Sequence, residues 1–256
     1  MCTIVLAHRV HPEYPLIVAA NRDEFYARPT AAASFWSDDE DVLAGRDLRA
    51  GGTWLGITRG GRFAALTNLR DGAEHREGAP TRGGIVAGFL RSRQPVEVFL
   101  DELARDADRY DGFNLLVRDR DALAYYSNRG QGPQVLPPGL YAISNALLGA
   151  EWPKIRRARE ALDELTRAPR VEMDALIKLL ADPATAPDDL LPHTGIDLEW
   201  ERALSAIFIK TADYGTCSST AILVDNAGHV EFAERRASSV LGEDESAETR
   251  FAFKLS

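Results

Sequence analysis

Cysteine is scarce: Cys2 and Cys217 are the only two in 256 residues. Two are too few for a disulfide framework or a cysteine-rich metal site. The five histidines (His8, His11, His75, His193, His229) lack an i, i+4 spacing on a helix, so no zinc or iron site is expected from them. Long apolar runs are also missing. No stretch approaches the ~18 residues that a membrane-spanning helix needs, so no transmembrane segment is expected. The start of the chain lacks a basic region followed by an apolar stretch, because His8, Arg9 and His11 interrupt the early apolar run. No signal peptide is read there, and cytoplasmic residence is the default expectation. Basic runs are absent too. Arg156-Arg157 and Arg235-Arg236 are isolated pairs, read as solvated helix or strand faces. With a net charge of −9, nucleic acid and anionic membranes are not expected partners.

What is present has the balance of a globular protein, 45% apolar and 27% charged. The length allows one large domain or two small ones; without an internal repeat or a low-complexity linker, one domain over residues 1–256 is expected. Thr3–His8 and Leu16–Ala20 are nearly all apolar and read as strands covered on both faces, joined through His11-Pro12-Glu13-Tyr14-Pro15. Ser37-Asp38-Asp39-Glu40-Asp41 reads as an exposed loop. Trp54–Thr58 and Arg62–Thr67 flank Gly60-Gly61, a hairpin signal, and Asn68 ends the second strand. The glycines of Gly51-Gly52-Thr53-Trp54-Leu55-Gly56 read as turn chemistry, since no Lys-Ser/Thr pair or helix follows as a phosphate loop requires.

Helices are expected at Gly84–Arg91 and Val96–Asp108, then strands at Phe113–Val117, Leu123–Tyr126 and Leu140–Ser144, the last running into Asn145. Residues Pro153 to about Leu180 read as helical, with Ile155, Ala158, Leu162 and Leu165 on one stripe; Asp182–Pro192 reads as a loop. Strands are expected again at Ala206–Ile209, Ser219–Val224 and His229–Ala233. This order fits helices packed outside a mostly antiparallel sheet or pair of sheets, an α+β class.

The chemistry is expected at the start of the chain. If Met1 is removed, Cys2 carries a thiol and a free α-amine on one residue. An unperturbed amine of pKa roughly 7.7–8.0 can take the proton of a thiol of pKa about 8.5.

Six motifs then point one way: Met1-Cys2-Thr3, Asn21-Arg22-Asp23-Glu24, Gly52-Thr53-Trp54-Leu55-Gly56, Thr67-Asn68-Leu69-Arg70, Ser144-Asn145-Ala146-Leu147-Leu148 and Tyr214-Gly215-Thr216. In this order they resemble the NRDE family, also called the transport and Golgi organisation protein 2 family. More distantly the chain is similar to the N-terminal-nucleophile hydrolases of the choloylglycine hydrolase and penicillin V acylase group. That resemblance implies a four-layer αββα sandwich and a cysteine amidohydrolase cleaving a linear amide or related acyl bond. It implies Cys2 as nucleophile, Asp23 as the acid that holds the amine and thiol, Asn68 as oxyanion donor and Asn145 as the asparagine that orients the site. The arginine that the acylases carry before Asn-x-Asp is replaced by Ala20, and Cys217 stands where NRDE relatives often carry arginine after Tyr-Gly-Thr. The family also implies an alternative: a binding or trafficking protein for haem or an acyl-coenzyme A or lipid ligand on the same fold, with haem carried as ligand and no resident cofactor. The expected partner is a small-molecule or amphipathic ligand. Arg22 and Glu24 read as an ion-pair network, Arg22 or Arg28 as a partner for Asp23, and Cys217 and Trp54 as packing residues.

Overall fold

A computed structural model describes residues 2–70, 72, 77–120, 122–241 and 247–256. Met1 and His75 lie outside the described residues. Numbered along the chain, the strands begin with β1 (Cys2–His8), β2 (Leu16–Phe25), β3 (Thr30–Trp36), β4 (Asp39–Asp47), β5 (Leu55–Thr58) and β6 (Phe63–Asn68). Helices α1 (Gly83–Arg91) and α2 (Val96–Asp106) follow, then β7 (Phe113–Arg118), β8 (Leu123–Ser127), β9 (Gln134–Leu136) and β10 (Gly139–Ile143). The remainder is α3 (Pro153–Thr166), α4 (Met173–Leu179), α5 (Leu198–Ala203), β11 (Tyr214–Val224), β12 (His229–Arg236), α6 (Ser238–Leu241) and β13 (Ala247–Lys254).

The chain divides into two compact units. The first is built from residues up to Ala27, Pro138–Ser144 and Leu148–Phe253. Its six strands run in the order β10-β1-β2-β11-β12-β13. β1 and β2 pair antiparallel with Leu6 opposite Val18, and β11 pairs with the other edge of β2 with Ala221 opposite Ala19. Alternate strand residues Val5, Ala7, Ile17, Ala19, Ala221 and Leu223 form one core with Ile155, Ala158 and Leu162 of α3 and Leu176 and Ile177 of α4. Each such aliphatic side chain contributes about 1.5–3 kcal/mol by leaving water. The expected helical stripe is therefore the packed face, but it is broken: α3 ends at Thr166 and α4 begins at Met173.

The second unit is Arg28–Pro137, Asn145–Leu147 and Lys254–Ser256. Its seven strands follow sequence order, β3 to β9, each antiparallel to the next. Val42, Ala44, Ala64, Leu66, Leu115 and Val117 pack with Val86, Phe89 and Leu90 of α1 and Val96 and Leu100 of α2. Two glycines serve close approach rather than turning. A Cβ on Gly52 would run into the backbone of Gly83 at the start of α1, and one on Gly56 would meet Leu90 Cδ1 at 2.8 Å and Ala44 Cβ at 2.9 Å. Gly51, with φ of 78°, and Gly61, with φ of 83°, are the turn glycines.

Each unit thus joins an antiparallel sheet to packed helices, and the chain is α+β as its strand–helix order implied. Two local expectations are overturned. Asp39-Glu40-Asp41 opens β4 rather than lying in a loop, with the turn confined to Ser37-Asp38. Ala206–Ile209 is a bend, not a strand. It is apolar because Ala206 and Ile209 sit in a small core with Leu204 and Tyr214. Among the described residues no helix is long and apolar enough to cross a membrane.

Candidate active site

Cys2 opens β1 and is 7% exposed. Burial pushes its thiol above the ordinary 9.0, against the pull of the chain's amino terminus; the charge of Asp23 adds to the rise, while Arg22 and a backbone hydrogen bond from Asp23 oppose it. The Cys2 carbonyl accepts a hydrogen bond of 2.8 Å from the Ser144 hydroxyl, which closes the end of β10 onto β1.

Asp23 lies 21 positions on in sequence yet close by in the sheet, because it follows Arg22, which faces Cys2 across the β1–β2 ladder. It is 1% exposed. Thr216 Oγ1 accepts from the Ile209 N–H at 2.9 Å, so its single hydroxyl proton is directed at Asp23 Oδ1, 2.7 Å away. Tyr214 Oη donates to the Asp23 carbonyl at 3.1 Å. Between these two donors Gly215 is required, because a Cβ there would run into Tyr26 Oη and the Ile209 carbonyl. The Tyr214-Gly215-Thr216 motif is therefore the mould into which Asp23 is pressed.

Burial raises the Asp23 carboxyl above 3.8, and Lys154, the amino terminus, Thr216 and Arg22 oppose that rise in decreasing order. Lys154 is a functional candidate that sequence reading missed. It is 1% exposed in the first turn of α3, where a lysine ordinarily reads as solvated surface. It is one of only four lysines among 30 basic residues. The sequence signal was that choice of lysine in an arginine-rich chain.

Within Asn21-Arg22-Asp23-Glu24 the roles separate. Asn21 donates through Nδ2 to the Leu180 and Ile207 carbonyls, both at 2.8 Å, and accepts from Ser219 Oγ at 2.6 Å. It ties β2 to the segments after α4 and before β11, which is a structural task. Arg22 and Glu24 approach to 3.8 Å. Arg28, one of the two arginines considered for Asp23, instead grips Asp47 Oδ2 at 2.9 and 2.6 Å. β11 carries an extra residue, Cys217, between Thr216 opposite Asp23 and Ser218 opposite Arg22. Burial pushes the Cys217 thiol up to about 11.

Asn68 and Asn145 belong to the second unit. Asn145 is fully buried; its Nδ2 donates to the Asn68 carbonyl at 2.9 Å and its carbonyl accepts from the Arg70 N–H at 2.7 Å. It clamps the end of β6 on both sides of Leu69. Asn114, opposite Thr67, donates to Thr67 Oγ1 and to the Ala146 carbonyl, and accepts from Tyr125 Oη at 2.8 Å. Asn114 and Tyr125 are further polar residues absent from the sequence reading.

Two of the histidines are occupied elsewhere, His229 by Asp225 at 2.9 Å and His11 by backbone groups. His11 accepts the Glu13 N–H on Nδ1, which leaves Nε2 to donate to the Ala168 carbonyl at 3.0 Å. Among the described residues no group of three or more His, Cys, Asp or Glu side chains could hold a metal.

The family model described as "Transport and Golgi organisation 2" matches residues 1–239. The chain is 41% identical over 267 residues to the Bos taurus Transport and Golgi organization protein 2 homolog, covering 95% of each chain. It is 36% identical over 256 residues to the Homo sapiens homolog, covering 92% of each. Among solved structures it is similar to a Caenorhabditis elegans N-acylethanolamine-hydrolyzing acid amidase ortholog, with a TM-score of 0.45 and 14% identity over 87% of this chain and 92% of the other.

Proposed function

The chain belongs to the Transport and Golgi organisation 2 family, and on that footing we propose that it is a cysteine N-terminal-nucleophile hydrolase, built as an αββα sandwich, that cleaves a linear amide or related acyl bond. The observation that carries this reading is the mould around Asp23. A fully buried carboxyl, raised by burial against the charge of Lys154, accepts from the Thr216 hydroxyl while Tyr214 pins the backbone carbonyl of the same residue, and it adjoins the register position of a buried thiol. Such strained electrostatics cost stability and are concentrated where chemistry is done.

In this reading Met1 is removed and Cys2 becomes the terminal residue. Its amine takes the thiol proton, and the thiolate attacks the acyl carbon. By the family resemblance the donor to the oxyanion is the side-chain amide of Asn68, whose backbone carbonyl Asn145 holds. A donor of this kind is worth about 3–4 kcal/mol in the transition state. The protonated amine then delivers its proton to the leaving nitrogen, and water hydrolyses the thioester to return thiol and acid. Asp23 holds the amine, and the charge of Lys154 opposes the rise that burial imposes on its carboxyl.

Intact-mass measurement and an acyl-amide probe test this directly. The expected result is a chain lacking Met1, with one acyl adduct mapped to Cys2 and none in Cys2→Ala. Quantitative retention of Met1 in an unreactive protein sinks the proposal, because the thiol then has no adjacent base.

A second reading has its own observation. Phe25 and Trp200 stack edge-on against Tyr214 with centroids 5.1 and 5.8 Å away, yet Phe25 is 55% exposed. An apolar surface next to the Asp23 mould suits an amphipathic ligand that is carried rather than cleaved. Titration with haemin and with an acyl-coenzyme A separates the two. Equal tight binding by wild type and Cys2→Ala, without hydrolysis of any amide, favours the carrier; binding of neither removes it.

A further inference from the structure

Lys154 occupies a position that electrostatics argues against twice. Its side chain is buried, where an ammonium is disfavoured unless an opposite charge offsets the lost hydration. It also lies in the first turn of the 14-residue α3, at the positive end of the helix dipole, which favours anions. The periodicities of helix and strand bring Asp23 into the same layer. Strand alternation puts Asn21 and Asp23 on the β2 face that carries Ile17 and Ala19, and that face packs under α3 and α4. On α3, Lys154 stands one turn before Ala158, which meets the same core. Lys154 thus enters this layer from the helix side and Asp23 from the sheet side. The charge of Lys154 is the largest influence that opposes burial at Asp23.

We propose that Lys154 is the positioning residue of the Cys2 site: its ammonium sets the charge of Asp23, and through Asp23 it orients the amine that activates the thiol. This rests on the reading of Cys2 as a terminal nucleophile. The groups that act on the carboxyl come from every side of it. Lys154 faces it from α3, the amino terminus from β1, Thr216 from β11 and Arg22 from β2 itself. Tyr214, also on β11, meets the Asp23 backbone carbonyl. Arg22 alternates to the other face of β2 and approaches Glu24 to 3.8 Å, so Lys154 is the cationic side chain on the face of Asp23. A lysine suits that task, since its compact charge rides on a flexible stem that reaches from helix to sheet. Asp23 in turn acts on the Cys2 thiol. The order of action is Lys154, then Asp23, then Cys2.

Alkylation of Cys2 by iodoacetamide, followed against pH by peptide mapping of the purified chain, tests this without needing turnover. The expected result is that Lys154→Met shifts the pH profile in the same direction as Asp23→Asn. Adding Lys154→Met to Asp23→Asn shifts it no further, because the group through which Lys154 acts is gone. Lys154→Arg, which keeps the charge, retains the wild-type profile. With an acyl-amide substrate, Lys154→Met lowers kcat on the order of 10–100-fold while KM changes little. The double variant melts higher than Lys154→Met, since no lone buried carboxylate remains, and it folds even where Lys154→Met does not. The proposal is overturned by an unchanged profile or kcat in Lys154→Met, or by an equal shift in the Asp23→Asn background. A Lys154→Arg profile that matches Lys154→Met, or a double variant no more stable than Lys154→Met, overturns it too. Absence of both acyl adduct and turnover in the wild type removes the hydrolase reading instead, and the alkylation profiles then decide Lys154 by themselves.

Discussion

Asp23 in the first unit and Asp47 in the second both lie toward the C-terminal ends of their strands, and their carboxyls are pushed in opposite directions. For Asp47, burial is outweighed by Arg28 on one oxygen and by the Arg49 and Ala50 N–H groups at 2.9 and 3.1 Å on the other, which hold it below 3.8. For Asp23, burial wins over Lys154, the amino terminus, Thr216 and Arg22. One aspartate is placed so that its charge stabilises the fold. The other is placed where burial disfavours its charged form, which is the arrangement that a reacting group uses and a structural group does not.

The comparison can be broken in four ways, the largest first. Asp23→Ala leaves the Thr216 hydroxyl without its acceptor and Lys154 without the nearby carboxylate, and lowers the unfolding free energy by about 2–3 kcal/mol in urea titration. Asp47→Ala, whose partner Arg28 reaches water, costs about 1–2 kcal/mol. The reverse ranking would show that the buried partners left by Asp23, the Thr216 hydroxyl and Lys154, are satisfied by other groups.

Next comes pH. Above 3.8 and up to its raised folded value, Asp23 binds more protons in the native state than in the unfolded one, so its contribution to stability falls as pH rises through that window. Asp47 does the opposite: its stabilisation is full above 3.8 and is lost as pH falls toward its lowered folded value. Melting temperature followed against pH therefore loses its decline on the alkaline side of 3.8 in Asp23→Asn and loses part of its acid-side decline in Asp47→Asn.

A smaller effect concerns the thiols. With Cys2 raised above 9.0 and Cys217 near 11, iodoacetamide labelling of each climbs about tenfold per pH unit through neutrality. A Cys2 rate that levels off near pH 7 would show a base that burial alone does not provide. The smallest effect is at the neutral amides of the second unit. Asn145→Ala removes the bond to the Asn68 carbonyl and costs about 1 kcal/mol, or roughly 2–4 °C in a thermal melt.

Much of this was legible in the sequence, for physical reasons that differ by element. β1 and β2 announce themselves because continuous apolar runs have no stable place but a strand covered on both faces. The β5–β6 hairpin is written in Gly60-Gly61, whereas the placement of Cys2 opposite Arg22, beside Asp23, shows only in the β1–β2 register. β3 and β4 were hidden because Asp38 to Asp41 looks solvated; Asp38 is in fact drawn to Arg46 at 2.6 Å and to Arg91 at 2.7 Å, charge pairs that no spacing reveals. The segment Ala206–Ile209 misled in the other direction, since its carbonyls serve Asn21 and Thr216 from elements far away in the chain. Lys154 was marked only by being a lysine in an arginine-rich chain, and it is tertiary structure that turns this helix-start residue inward.

The order of the segments has a consequence for synthesis. β2 is made within the first 25 residues, but its β11 edge is filled only by residues about 200 positions later, Ala221 against Ala19. At roughly 5–20 residues per second, a nascent chain carries that open, largely apolar edge for about 10–40 s. The seven strands of the second unit, contiguous between Arg28 and Pro137, are made well before. The half that holds Cys2 is thus the late and aggregation-exposed half of the molecule, its contact order raised by the distant pairings of β1 with β10 and of β2 with β11.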